Sequence, residues 1–181
     1  MRRLETRLDG PILIEPILHE DERGFFQETY RRSAYEELGI EDDFVQENHS
    51  RSGRGVVRGM HFQVGQAKLV RCARGEIVDV LVDIRRGSPS FGAWEAFALS
   101  DRNHHQLYCP VGFAHGFCVT SESADVLYKC SSYYEPRLER AIAYNDPDVG
   151  IAWPRLRLTV SERDAAAPLL REIEGELAFR Y

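Results

Sequence analysis

Apolar and polar residues alternate along most of this chain with a period of two, which is the spacing of half-buried β-strands. The clearest run is Glu76-Ile77-Val78-Asp79-Val80-Leu81-Val82-Asp83-Ile84, ended by the turn-forming Arg85-Arg86-Gly87-Ser88-Pro89-Ser90. Shorter runs of the same kind span Ile12 to Leu18, Phe25 to Tyr30, Phe44 to Asn48, Lys68 to Cys72 and Ala93 to Leu99. Others span Gln106 to Cys109, Gly116 to Thr120 and Asp125 to Tyr134, with Gly, Pro, Asp and Asn punctuating them. Many short strands at such spacing predict an all-β fold: a sandwich, jelly roll or barrel. Two stretches read as helical. Ser33 to Leu38 has Ser33 as its N-cap and Gly39 as its stop. Ser161-Glu162-Arg163-Asp164 resembles a capping box and opens an Ala/Leu-rich helical tail. No repeat, low-complexity tract or linker interrupts the pattern, so residues 1–181 are expected to form one domain.

Composition narrows the class without naming a function. Of the 181 residues, 43% are hydrophobic and 29% charged, as in an ordinary soluble domain. A net charge of −6 argues against general binding to nucleic acid or to anionic membranes, so any phosphate site must be a local cluster of Arg and Lys. Cys72, Cys109, Cys118 and Cys130 form no C-x-x-C pair, which argues against a zinc ribbon or a dithiol redox site. The first residues are too polar for a signal peptide, and no apolar run is long enough to span a membrane. A cytoplasmic protein with free thiols is expected.

The candidate chemistry lies in Arg58-Gly59-Met60-His61-Phe62-Gln63, in Lys68, and in Gly112-Phe113-Ala114-His115-Gly116-Phe117. Together they offer a base, a cation and a second imidazole on β-type segments. Removing a proton from a carbon beside a carbonyl requires such groups: one takes the proton and the others hold the enolate oxygen. An imidazole, with an ordinary pKa of about 6.5, suits the base. A His-x-His metal pair is broken at Gln63, and His104-His105 are adjacent, which on a strand would send them to opposite faces. No metal is expected. No Gly-rich phosphate loop or dinucleotide fingerprint occurs, and no redox cofactor is expected.

Further motifs follow in order: Asp21-Glu22-Arg23-Gly24-Phe25-Phe26-Gln27-Glu28, Gln46-Glu47-Asn48-His49-Ser50, Ser88-Pro89-Ser90-Phe91-Gly92, Tyr128-Lys129-Cys130, Asn145-Asp146-Pro147 and Trp153-Pro154. With the His61 and His115 segments they resemble the dTDP-4-dehydrorhamnose 3,5-epimerase family from about Glu15 to Pro168. The resemblance implies a cupin-type jelly roll, a homodimer, and epimerisation of dTDP-4-keto-6-deoxy-D-glucose at C3 and C5 to dTDP-4-keto-L-rhamnose. It implies His61 as base, with Asp164 as its carboxylate partner. It implies Lys68 and His115 beside the C4 carbonyl, and Tyr128 as the acid. Epimerisation needs that second donor, because a base that returns its own proton regenerates the starting isomer.

For the nucleotide the resemblance implies Arg23, Phe26, Glu28, Gln46, Glu47, Asn48, Arg58, Glu139 and Arg163, with Tyr133 stacking on the thymine. The arm Asp21 to Tyr30 is expected to cross to the partner subunit. Two departures stand out: the stretch between His61 and Lys68 is shorter than in many members, and Arg163 stands where Lys is usual. The alternatives are a mono-epimerase acting at C3 or C5 only, a sugar 3,4-ketoisomerase, and a non-catalytic nucleotide-sugar-binding cupin.

Overall fold

The computed structural model describes residues 1–181. The strands are β1 (Arg2–Leu4), β2 (Ile12–Glu15), β3 (His19–Asp21), β4 (Gly24–Phe26), β5 (Gln46–Gly53), β6 (Val57–Gln63) and β7 (Lys68–Arg74). They continue as β8 (Glu76–Asp83), β9 (Trp94–Ser100), β10 (Gln106–Cys109), β11 (Phe113–Val119), β12 (Ser123–Cys130) and β13 (Glu139–Ala141). A six-stranded sheet has the order β1-β2-β10-β7-β12-β5, and a five-stranded sheet the order β13-β6-β11-β8-β9. All these pairings are antiparallel. Two such sheets face to face form an all-β jelly roll, one of the architectures the period-two pattern allows and the one the resemblance implies.

The five-stranded sheet is buried on both faces. Leu81, Phe97, Leu99, Phe117 and Val119 meet Val70, Leu107 and Val126 of the opposite sheet in the inter-sheet core. Met60, Phe62, Val80 and Val82 point outward and are covered by Ile142, Leu170, Leu177 and Phe179. Burial on both sides explains why β8 and β11 read as nearly continuous apolar runs. A third cluster lies outside the six-stranded sheet, where Ile12, Ile14, Leu69 and Tyr108 pack on Ala34 and Tyr35 of α1 (Arg32–Glu36). All four cysteines are free and buried.

The helices are shorter than expected. Helix α1 begins at Arg32, so Ser33 lies inside it, and the side chain of Arg31 at the cap makes no capping bond; docking of Tyr35 on the sheet holds the helix instead. Ser161 does cap α2 (Glu162–Ala165), its hydroxyl accepting from the Asp164 amide at 3.1 Å. The tail is then interrupted around Pro168 before α3 (Leu170–Ile173) and a short 3₁₀ turn, because proline cannot donate to a preceding carbonyl. His104 and His105 lie in the turn after β9, with His104 at φ 54°, not on a strand.

Two of the sequence motifs turn out to be staples. Asp83 is fully buried and accepts from the amide and guanidinium of Arg85 and from the hydroxyls of Ser88 and Ser90, 2.6–3.0 Å away. Burial opposes the charge, but these donors hold the Asp83 carboxyl below the usual carboxylate range. Asp146 accepts from the amides of Asp148 and Leu170, tying α3 to the loop after β13.

Strands β6 and β11 pass unusually close. A Cβ on Gly116 would lie 2.6 Å from Met60 Sδ and 2.8 Å from the Arg58 carbonyl. A Cβ on Gly59, at φ +144°, would lie 2.5 Å from Gly116 Cα. Gly116→Ala should therefore cost about 1–3 kcal/mol of overpacking. Gly175→Ala, where nothing lies within 4 Å, should be close to neutral. Urea denaturation of the two variants checks this; equal midpoints would contradict the close-passage account.

Candidate active site

The close passage carries a β-bulge. Phe117 pairs with Arg58 and His115 pairs with His61, so between those pairs Gly116 of β11 alone opposes Gly59 and Met60 of β6. On a regular strand Arg58 and His61 would face opposite ways. The bulge turns both into one cavity of about 500 Å³ between the sheets, lined also by Lys68, His115, Tyr128, Glu139, Arg163 and Asp164. Strands β6, β11 and β13 supply Arg58, His61, His115 and Glu139. Strands β7 and β12, from the opposite sheet, supply Lys68 and Tyr128.

His61 Nε2 lies 2.7 Å from Asp164 Oδ1, while Asp164 Oδ2 accepts from the Gly59 amide at 3.3 Å. The carboxylate thus orients the imidazole and also grips the bulge. Burial lowers the His61 pKa from its ordinary value; the hydrogen bond and charge of Asp164 oppose that, and Lys68 adds to it. The neutral, proton-accepting form therefore persists to lower pH than in a free imidazole.

Across the cavity, burial raises the Tyr128 phenol, so it keeps its proton at neutral pH. Lys68 Nζ lies 3.5 Å from the His61 carbonyl. Its strand position is flanked by Cys109 on β10 and Cys130 on β12. At the mouth, Glu139 bonds both Arg163 and the hydroxyl of Tyr134, the latter at 2.8 Å. Burial works against ionisation, yet these two donors hold the Glu139 carboxyl below the usual range.

Other expected residues lie outside the cavity lining. Asn48 sits cross-strand from Tyr128 on the edge strand β5 and bonds Gln46 and the Cys130 thiol. The side-chain oxygen of Gln46 accepts from the Tyr134 amide at 2.9 Å. Glu47 points to the opposite face by strand alternation and pairs with Lys129 at 2.9 Å. Tyr133 is 71% exposed and only its carbonyl is engaged by a side chain, whereas Tyr134, at 51%, bonds a cavity carboxylate. The two adjacent tyrosines could not be told apart by sequence.

Arg23, Phe26 and Glu28 do not reach this chain's own cavity. Arg23 pairs with Asp21, Phe26 is 70% exposed, and Glu28 pairs with Arg31 at 3.0 Å. The β3–β4 hairpin is a separate two-stranded sheet, exposed throughout.

Asp79 escaped the sequence reading. It is fully buried, bonds His115 Nε2 at 2.9 Å through Oδ2, and leaves Oδ1 unpartnered. Burial raises its pKa, against the pull of His115. Its one signal was a charge at the centre of an apolar β run. Ser52, which accepts from Arg58 Nε at 2.9 Å, left no signal. No three His, Cys, Asp or Glu side chains are placed to share a metal ion. No helix is long and apolar enough to cross a membrane.

A jelly roll with a histidine–carboxylate pair facing a phenol across an inter-sheet cavity belongs to the cupin-type isomerases. Residues 5–172 match the family model described as dTDP-4-dehydrorhamnose 3,5-epimerase, and the chain belongs to that family. A relative of that name from Salmonella typhimurium is 51% identical over 92% of this chain and 94% of its own. The structure of dTDP-6-deoxy-D-glucose-3,5-epimerase from Legionella pneumophila, in complex with dTDP-4-keto-L-rhamnose, superposes with a TM-score of 0.96 at 49% identity, covering 99% of this chain and 98% of that one. A 3′-monoepimerase from Streptomyces bikiniensis in complex with dTDP-quinovose is 36% identical, with a TM-score of 0.89 over 94% of this chain and 89% of that one.

The opposing influences on His61 are separable. A proton NMR titration of its ring should give a midpoint below the ordinary imidazole value. Asp164→Asn removes the group that favours the imidazolium, so the midpoint should fall further. A midpoint that rises in Asp164→Asn would overturn this account.

Proposed function

We propose that this chain, folded as one domain, epimerises dTDP-4-keto-6-deoxy-D-glucose at C3 and C5 to dTDP-4-keto-L-rhamnose. The observation that carries this reading is the opposition of His61 and Tyr128. They line one cavity from different sheets, so a sugar between them meets a base on one face and an acid on the other. His61 takes the proton from C5 or C3. The electron pair moves onto the C4 carbonyl, and Lys68 with His115 stabilises the resulting enolate oxygen. Tyr128 delivers its proton to the carbon from the opposite face as the enolate collapses. His61 is then protonated and Tyr128 ionised, and exchange with water resets both. Every new C–H bond therefore carries a solvent hydrogen.

Asp164 orients His61 and favours the imidazolium as it forms. Arg58 and Arg163 supply the cations a diphosphate needs, and the Tyr133–Tyr134 segment offers aromatic surface to the base. Both 3,5-epimerases are closer in sequence to this chain than the mono-epimerase is, which supports inversion at two carbons. The four free buried thiols suit a reducing cytoplasm.

The test is incubation with dTDP-4-keto-6-deoxy-D-glucose in D2O, with deuterium counted by NMR. The wild type should label both C3 and C5. His61→Asn should abolish labelling while dTDP binding stays within a few-fold, because the base acts only in chemistry. In Tyr128→Phe, labelling should outlast net epimerisation. Near-normal turnover in His61→Asn would sink the mechanism.

The reading includes a homodimer with two composite sites. The exposed β3–β4 hairpin presents two aromatic rings, Phe25 58% and Phe26 70% exposed, and of these Phe25 meets only His104, edge-on at 4.6 Å, from outside the hairpin. Crossing to a second copy would bury those rings and bring Arg23, Phe26 and Glu28 to the partner's cavity. Mixing inactive Arg23→Ala with inactive His61→Ala should restore part of the activity, since the heterodimer holds one site free of both changes. No recovery after verified subunit exchange would mean each site is built within one chain.

A further inference from the structure

The segment Ser132-Tyr133-Tyr134-Glu135 follows β12 and carries the aromatic pair at the cavity mouth. Tyr133 to Arg137 are all exposed, so no buried side chain anchors it. Three glutamines hold its backbone instead. Gln66 donates to the Ser132 carbonyl at 3.0 Å, Gln46 accepts from the Tyr134 amide at 2.9 Å, and Gln63 does both. Gln63 donates to the Tyr133 carbonyl at 2.9 Å and to the Ser132 hydroxyl at 3.1 Å, and accepts from the Glu135 amide at 2.8 Å. It is almost fully buried. The primary amide of Gln63, like a peptide unit, carries a donor and an acceptor on one planar group, so Gln63 stands in for a strand neighbour that the segment lacks.

Gln63 also lies two residues after His61 on β6, roughly 6.6 Å along the same strand face. It is cross-strand from Glu139, whose carboxylate bonds Tyr134. One rigid strand thus carries both the imidazole and the clamp on the aromatic segment.

We propose that Gln63 is a positioning residue that fixes the base-binding end of the nucleotide site relative to His61. This rests on the reading above, in which the Tyr133–Tyr134 segment receives the nucleotide base. Gln63 touches no substrate; it pre-pays the ordering of a segment that would otherwise be ordered at the expense of binding. The shortened stretch between His61 and Lys68 is part of the same device, because its Gln66 and Ala67 bond Ser132 and Ser131.

The experiment compares Gln63→Leu with the wild type in three measurements. These are the Kd for dTDP by calorimetry, the steady-state KM and kcat, and the thermal midpoint. Loss of the clamp should raise Kd and KM by roughly tenfold while kcat stays within about threefold, since the segment acts in binding and not in proton transfer. A general structural defect would lower kcat and the thermal midpoint without that split. Gln66→Ala removes only the Ser132 bonds and should move Kd the same way by roughly threefold. It decides the question if Gln63→Leu does not fold. Unchanged Kd and KM, or a kcat loss with dTDP binding intact, would overturn the proposal. Absence of turnover in the wild type would strike the epimerase reading alone, because the Kd ratio is measured without chemistry.

Discussion

Everything in the cavity depends on the near-contact of two backbones at Gly59 and Gly116. Without side chains there, β6 and β11 can approach until a bulge forms, and the bulge aligns two side chains that strand geometry would separate. Arg58 and His61 then share a face, His115 stands opposite His61, and the Gly59 amide is aimed at Asp164. The carboxylate that orients the imidazole is therefore tied to the same backbone irregularity that presents it. Base, partner and bulge form one unit, although more than a hundred residues separate His61 from Asp164.

Around that unit the two sheets differ in character. The five-stranded sheet is packed on both faces and carries His61, His115 and the buried Asp79. Side chains embedded there have little freedom to move, which suits groups whose direction matters. The six-stranded sheet contributes Lys68 and Tyr128 from its inner face, and its edge strand β5 is open. His115 is held by Asp79, whose Oδ2 lies 2.9 Å from its Nε2.

Sequence reading went furthest where chemistry and local pattern coincide. The β period revealed the sheets, and Ser161 announced the cap that sets Asp164 in place. Motifs identified the cavity residues His61, Lys68, His115 and Tyr128. It went wrong where tertiary packing decides. Ser33 was read as a cap, but α1 is set by the docking of Tyr35 and starts one residue earlier. The tail was read as one helical segment, yet it breaks around Pro168. Glu47 was grouped with Gln46 and Asn48, though alternation sends it to the other face. Tyr133 and Tyr134 share one motif, and only the bond to Glu139 distinguishes them. Asp79 and Gln63 act through neighbours distant in sequence, so no spacing could mark them.

The burial of all four thiols has a practical side. Desolvation pushes Cys72 and Cys109 up to about 12 and raises Cys118 and Cys130 as well. At neutral pH a buried thiol with a raised pKa keeps its proton, and only the thiolate attacks maleimides. The natural chain is thus nearly silent toward thiol-directed dyes. A single cysteine introduced on the exposed β3–β4 arm would be the one reactive handle, and a fluorophore there could report the arm's surroundings without removing any native residue from the core.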